Sequence, residues 1–421
     1  MGALDLVVYG ASGFTGRLVC AYLRRNAPAS LRWALAGRDA AKLEQVASET
    51  LPGGGEECAP VDIIGGCDGD GSAAHKIVGV ARPRVVLSTA GPFIKFSDAV
   101  VGACAQAGVS YVDIDGEIPW VKRVLQRDDE AARSSGALIV PNCGFDSVPS
   151  DLIAQRATQL LAARSGSGAP CVRLRAYVEM KGVVSGGTIE TGLLMEDLFP
   201  DEQRDPFLLG GCDALARGVG SALDADPTEA MYDPAVRRWV APFGMAKINT
   251  RVVRRSAGAL NAYANVDARE IHYGEVALAP GGAAAAEKMA RNAAIPPSAL
   301  RVLRDKGRLP KPGAGPSPER RASSSFRVVC VADAADGERA VCSIAGGDPG
   351  YEETAKMVSE AALAAVAGER MPGAEQGGVL TPAAAFGGGL VDRLRDAGMS
   401  IDDDFDLAHL PGEADEGAEA A

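Results

Sequence analysis

The sequence predicts an α/β protein: a doubly wound parallel sheet first, then a mostly antiparallel sheet with helices. Three observations predict it. The first 150 residues alternate short apolar runs with segments of helical spacing. Those runs are apolar throughout, as strands covered on both faces are. From about Asp151 the runs alternate apolar and polar residues, as strands with one wet face do.

The elements follow in order. "LDLVVYG" (4–10) reads as a strand and "GRLVCAYLRRN" (16–26) as a helix. "LRWALAGR" (31–38) and "AAKLEQVASETL" (40–51) repeat the pair. "IGGCDGDGSA" (64–73) reads as a solvated surface loop; it lacks the spacing and final glutamate of a calcium loop. "RVVLSTAGPF" (84–93) is a strand stopped by Gly-Pro, and "DAVVGACAQAG" (98–108) a helix closed by glycine. "SYVDID" (110–115) and "ALIVPNCGF" (137–145) are two further strands. Beyond Asp151, "CVRLRAYVEMKG" (171–182), "GMAKINTRVVRRS" (244–256), "NAYANVDAREIHYGEV" (261–276) and "SSFRVVCVADA" (324–334) read as half-exposed strands. "GGAAAAEKMARNAA" (281–294) is helix-prone, and "LPKPGAGPSPERR" (309–321) is a Pro/Gly-rich connector. "GYEETAKMVSEAALAAVAGER" (350–370) is a long helix able to pack back on the first sheet. The stretch 402–421 is acidic and poor in large apolar groups, and reads as disordered.

Composition narrows the function. The 421 residues carry a formal charge of −12, which gives no reason to expect a nucleic-acid partner. The 9 cysteines show no CxxC pairs, and Cys20, Cys104, Cys143 and Cys330 sit in apolar or Ala-rich settings, as reduced buried thiols do. With 3 histidines, neither a histidine-built metal site nor a histidine triad is expected. No run of 18 uncharged apolar residues appears, and the first strand begins by Leu4. A cytoplasmic protein without signal peptide or spanning helix is therefore expected, with peripheral membrane contact left open.

The chemistry begins at "VVYGASGFTG". Three glycines follow a strand and open a helix. Gly10 suits a tight turn, Gly13 a close approach to pyrophosphate, and Gly16 close helix–strand packing. Free N–H groups at the helix start favour the anion. Ser12 and Thr15 add hydroxyl donors. The alternative is a glycine turn that holds nothing. The second strand ends "AGR", with Gly37 and Arg38 where an NAD site carries an acid. A guanidinium there suits a 2′-phosphate, so NADP(H) is preferred over NAD(H). "STAGPF" (88–93) would bring backbone near the nicotinamide ribose. The acids of "YVDIDGE" (111–117) either line the crevice or cap the next helix. Cys143 reads as a buried thiol rather than a nucleophile.

Nine strings in order resemble the saccharopine dehydrogenase-like oxidoreductase family. They are "VVYGASGFTG", "ALAGR", "LSTAGPF", "SYVDIDGE", "PNCGFDSVPSDL", "SGGTIET", "INTRVVRRS", "GGDPGYEETAKM" and "GVLTPAAAFG". The nearest branch contains the trans-acting enoyl reductases. The resemblance implies a Rossmann domain (1–150), an inserted α+β substrate or interaction domain (151–345), and C-terminal helices returning to the first domain (346–401), before the 402–421 tail. It implies nicotinamide-linked redox chemistry on a lipid-like acyl or enoyl substrate. In eukaryotic relatives it implies lipid-droplet or membrane association and glycolipid synthesis; a homodimer is also expected. Gly10, Ser12, Gly13, Phe14, Thr15 and Gly16 match the family's phosphate loop. Gly37 and Arg38 match its second strand end, and Ala90, Gly91 and Pro92 its second cofactor loop. Asp146, Lys181 and Thr188 lie in matching segments as acid–base candidates. Each also has an ordinary reading, as helix cap, surface lysine and N-cap. Two other functions stay open: a dinucleotide-binding lipid-surface protein without turnover, and a saccharopine-type dehydrogenase whose carboxylates Arg251, Arg254 and Arg255 would clamp.

Overall fold

The computed structural model describes residues 4–49, 61–166, 168–182, 186–210, 225–258, 272–309 and 315–412. Two seven-stranded sheets organise them. The first contains β1 (Leu6–Tyr9), β2 (Trp33–Ala36), β3 (Asp62–Ile64), β4 (Val85–Ser88), β5 (Ser110–Asp113) and β6 (Leu138–Val140), with β13 (Gly378–Val379) from far along the chain. The second contains β7 (Cys171–Lys181), β8 (Met231–Asp233), β9 (Arg238–Pro242), β10 (His272–Leu278), β11 (Ser325–Ala334), β12 (Arg339–Gly346) and β14 (Ser400–Asp402).

The first sheet runs β13-β6-β5-β4-β1-β2-β3, and all its pairs are parallel. Helices Phe14–Asn26, Asp98–Ala107 and Ile118–Ser135 are among its crossovers. Core strands β1, β2, β4 and β5 are buried along their whole length, which explains why their sequences do not alternate. The order reverses between β1 and β4, and the loops at that switch are where ligands bind in such sheets.

The second sheet runs β14-β12-β11-β7-β10-β9-β8, antiparallel except where β10 lies parallel to β7. Helix Val148–Arg164 lies between the sheets and packs on β11 and β12. Even its polar residues Ser150, Asp151 and Gln155 are buried. They are satisfied: Asp151 accepts the N–H of Ala383, and Gln155 donates to its carbonyl. The C-terminal helix Thr354–Ala367 returns to the first sheet, packing on the 14–26 helix and on β4 and β5. Its small buried residues Ala355, Ala361, Ala362 and Ala364 allow that close approach. One hydrophobic core runs through both sheets.

Four expectations are corrected. "GMAKINTRVVRRS" is not a strand: Ala246–Gly258 is a helix. Arg251 and Arg254 do not lie on a solvated face; each is 2% exposed. The 64–73 stretch is not solvated throughout, because Cys67 is buried and Asp70 accepts the N–H groups of Ala99 and Val100 at the next helix start. Finally, the chain is folded through Gly412. β14 pairs with β12, Phe405 and Leu410 are buried, and Asp403 forms a two-pronged pair with Arg156. The average acidity of that stretch concealed two apolar anchors. Residues 413–421, 261–271 of the expected 261–276 strand, 310–314 of the connector and Ser185 of "SGGTIET" lie outside the described residues.

Candidate functional site

The site begins where β1 ends. Gly10 takes φ +84°, and a Cβ there would lie 2.8 Å from the Ala90 nitrogen. A Cβ on Gly16 would strike the Gly10 carbonyl. Both positions therefore require glycine, Gly10 for conformation and space and Gly16 for space. Gly13 is exposed and is the N-cap of the 14–26 helix, with no capping side chain and no acid in the first turn. Its own Cβ would meet only the Gly10 carbonyl, at 3.2 Å. The helix start thus presents N–H groups that an anion can satisfy. Ser12 and Thr15 are half-buried beside it. Phe14 has a different role from its neighbours. Its ring packs edge-on to Tyr351 at 5.0 Å, with the Arg321 guanidinium 5.6 Å away, so its side chain joins the loop to the C-terminal part of the chain.

The β2 end presents Arg38 to solvent. Its guanidinium lies 5.9 Å from the Phe96 ring centre and makes no hydrogen bond or ion pair among the described residues. Asp39 is occupied: it accepts the N–H of Lys42 at 3.2 Å, capping its own helix. The acid here is engaged with its own helix, whereas the cation before it has no hydrogen-bond or ion-pair partner among the described residues. The residues present fit a dinucleotide bearing a 2′-phosphate. Gly37 is buried, yet a Cβ there would sit in ordinary contact with Leu43 at 3.4 Å. Unlike Gly10 and Gly16, it is not required by space.

The loop Ala90–Gly91–Pro92 follows β4. Ser88 holds it: its hydroxyl accepts the Ala90 N–H at 3.2 Å and pairs with Ser97 at 2.9 Å. The Gly91–Pro92 peptide bond is cis. Thr89 donates to the carbonyls of Tyr9 and Gly10, tying this loop to the glycine turn.

The acids after β5 take neither expected role. Asp113, Asp115 and Glu117 are all buried. Glu117 accepts the N–H groups of Phe93 and Ile94 at 2.8 and 2.9 Å, capping the turn after Pro92 rather than the helix after itself. Asp113 and Asp115 both accept the N–H of Asn142, whose side chain donates back to Asp115. The carboxylates thus brace the loops after β4, β5 and β6 against one another. Burial pushes the Asp115 carboxyl far up, and the neighbouring Asp113 charge pushes it further. Asn142 and Phe96 carried no sequence signal of these contacts, since their partners lie more than 25 residues away.

Of the acid–base candidates, only Asp146 stands at the crevice. It lies half-buried in the loop after β6. Its Oδ2 is 3.2 Å, and Ile248 Cδ1 3.1 Å, from the point a Cβ on Gly116 would occupy. The carboxyl therefore meets the 246–258 helix over Gly116, beside a cleft lined by Gly116, Ile118, Lys247 and Ile248. It makes no hydrogen bond or ion pair among the described residues, and burial pushes its carboxyl up to about 6. Lys181 is exposed at the end of β7, and Thr188 is exposed as the third residue of helix Gly186–Leu198, not as its N-cap. Cys143 is buried, its thiol pushed far up by burial and held to the Val140 carbonyl, which suits an inert thiol. Among the described residues no helix is long and apolar enough to cross a membrane, and no cluster could hold a metal ion.

A parallel sheet of this order, a glycine turn opening a helix, and a cation in place of the usual acid define a dinucleotide-dependent oxidoreductase. Comparison with known proteins gives the family. Residues 6–140 match the family model described as the saccharopine dehydrogenase NADP binding domain. A provisionally named trans-acting enoyl reductase of Mycobacterium tuberculosis is 34% identical over 426 aligned residues, covering 94% of this chain and 96% of that protein. A trans-acting enoyl reductase of Mycobacterium bovis is 31% identical, with 94% and 96% covered. Saccharopine dehydrogenase (L-Glu forming) from Saccharomyces cerevisiae shares the fold, with a TM-score of 0.50 at 14% identity over 95% of this chain and 99% of that one. The chain belongs to the saccharopine dehydrogenase-like oxidoreductase family, in the branch that includes the trans-acting enoyl reductases. It is an NADP-dependent oxidoreductase.

Proposed function

We propose that this protein reduces the carbon–carbon double bond of an enoyl group on a lipid-like acyl substrate, in the crevice between the two sheets. The names of its mycobacterial relatives support the reaction class. The observation that carries the reading is Asp146: a half-buried carboxyl beside the crevice, without a partner among the described residues and with its proton held up to about pH 6.

Gly10, Gly13, Gly16 and the first turn of the 14–26 helix would hold the pyrophosphate, and Arg38 the 2′-phosphate. Ala90, Gly91 and Pro92 would lie along the nicotinamide ribose. When bound, the dinucleotide supplies hydride for the β-carbon. Asp146 holds the proton that the α-carbon needs, with an acidity close to the working pH. The buried Asp113–Asp115–Asn142 network keeps the loops after β5 and β6 in fixed register, which orients Asp146. Contact with a lipid surface and pairing of two copies belong to the same reading. A saccharopine-type clamp is disfavoured, because Arg251 and Arg254 already donate to backbone carbonyls within the protein.

The test is turnover of NADPH with a panel of enoyl thioesters, read against Asp146→Asn. The variant should bind NADPH as the parent does and lose most of kcat. Tight NADPH binding with no turnover of any enoyl thioester would instead mark a dinucleotide-binding protein without this activity.

A further inference from the structure

Two stretches flanking one hairpin of the second sheet converge on a single side chain of the glycine loop. β11 and β12 pair with Phe326 opposite Gly346, so the chain before β11 and the chain after β12 leave the sheet side by side. Both reach Phe14, the first residue of the 14–26 helix. Before β11, Gly315 lies so close over the Phe14 ring that a Cβ there would overlap it. Arg321, in helix Pro318–Ala322, holds its guanidinium 5.6 Å from the ring centre. Arg321 is fixed in turn by the Glu352 carboxylate at 2.8 Å and the Pro316 carbonyl at 2.9 Å. After β12, Tyr351 meets the ring edge-on at 5.0 Å. The Asp348 carboxylate accepts the N–H groups of Tyr351 and Glu352, both at 3.1 Å, and so shapes the turn that carries them.

The same turn reaches the other end of the crevice. Thr354 follows it, and its hydroxyl donates to the Pro349 carbonyl at 2.9 Å. That hydroxyl also accepts the Phe145 N–H at 3.1 Å. Phe145 is buried, with its ring edge-on to Phe326 at 4.8 Å, and the next residue is Asp146. A short path of packed and bonded groups therefore runs from the helix start to the Asp146 loop, through Phe14, Tyr351, Thr354 and Phe145. The last three are buried, and close packing leaves little slack in which a displacement could be lost. Contiguous packing and hydrogen bonding of this kind can carry coupling between two sites.

We propose that Phe14 is a positioning residue: through Tyr351 and Thr354 it registers the Asp146 loop against the phosphate helix, so that filling the phosphate site steadies that loop. The inference rests on the glycine loop holding the dinucleotide's phosphates and on the Asp146 loop facing the same crevice. It does not rest on hydride transfer or on Asp146 acting as proton donor.

Hydrogen exchange of the full chain, with and without saturating 2′,5′-ADP, tests it. This probe carries a phosphate for the glycine loop and the 2′-phosphate for Arg38, but no nicotinamide half to touch the Asp146 loop. In the parent it should slow exchange across residues 143–148 at least fivefold beyond any slowing in β10, which reports overall stability. Phe14→Ala should erase that excess while 2′,5′-ADP still binds. Tyr351→Ala leaves the glycine loop intact and should erase it too, so it decides the matter if Phe14→Ala weakens binding too far. Tyr351→Phe keeps the ring and should retain the excess. Equal slowing of 143–148 and β10 in the parent overturns the coupling, as does an excess that survives in Tyr351→Ala. An intact excess in a parent that turns over no enoyl thioester would uphold the coupling and count against the reductase reading, so the two failures are distinct.

Discussion

The two ends of the crevice are built from different materials. At β1 and β2 the site is backbone: a glycine turn, the N–H groups of one helix start, and a single cation. At β5 and β6 it is side chain: buried carboxylates, Asn142 and Asp146, closed by a helix from more than 100 residues away. A backbone site is written locally, because glycines and helix starts act within a few residues. A side-chain site is written across the chain, since each partner is remote. The first end therefore depends on a few glycines and Arg38, and the second depends on pairwise contacts that single substitutions can remove.

The largest effect should come from the backbone end. Gly16→Ala places a methyl against the Gly10 carbonyl and the Ala11 Cα. The turn must open, at a cost on the order of 3 kcal/mol or more. Denaturant unfolding should show that loss, and the folded fraction should bind NADPH at least a hundredfold more weakly. Parent-like stability and affinity would show that the turn tolerates rearrangement, and the contrast between the two ends would fail.

Asp146→Asn should come next, and it should act on rate rather than binding. Removing a proton donor costs about a hundredfold or more in kcat. The parent's kcat should fall as pH rises through about 6, while the variant's residual rate should be flat there. Stability should move the other way. The folded carboxyl holds its proton to about 6, above its ordinary 3.8, so the cost of burying its charge is absent below about 4 and complete above about 6. The variant should therefore be more stable than the parent at pH 8, by about 3 kcal/mol, and equal at pH 3. A variant less stable at pH 8 would mean that the carboxylate is satisfied there.

Arg38→Ala sharpens the backbone end by removing the unpaired cation at the end of β2. NADPH affinity should fall about tenfold to a hundredfold, the range of a charge-assisted phosphate contact, with NADH affinity unchanged. Equal weakening of both would relocate the 2′-phosphate.

The same division explains what was legible. The β1–glycine–helix unit and the "AGR" end could be read because strand, turn and helix are contiguous. The 246–258 helix reads as a half-exposed strand because "INTRVVRR" mixes apolar and polar residues, although Ile248, Val252 and Val253 keep helical spacing, and that reading puts its arginines at the surface. They face inward instead, where the carbonyls of residues 203–206 receive them, and no local pattern announces such remote acceptors. Glu117 was weighed as a cap for the helix that follows it. Its real target, the turn at Phe93, lies 24 residues back in sequence and became adjacent only through the parallel pairing of β4 and β5.

The smallest effect is the most discriminating, because it separates two glycines that the sequence presents alike. Gly37 matches the family pattern as well as Gly16 does, yet its position has ordinary room for a methyl, 3.4 Å from Leu43. Its backbone bonds to Ile64 and Cys67 involve no atom that the methyl displaces. Gly37→Ala should therefore change stability by less than about 0.5 kcal/mol, as substitutions away from strained features do. Any loss of NADPH affinity beyond a few-fold would then come from the methyl meeting the bound dinucleotide and not from the fold. Parent-like stability with a large loss of affinity would place the adenosine ribose directly on Gly37. Parent-like values for both would leave Arg38 as the one residue through which this strand end recognises the cofactor.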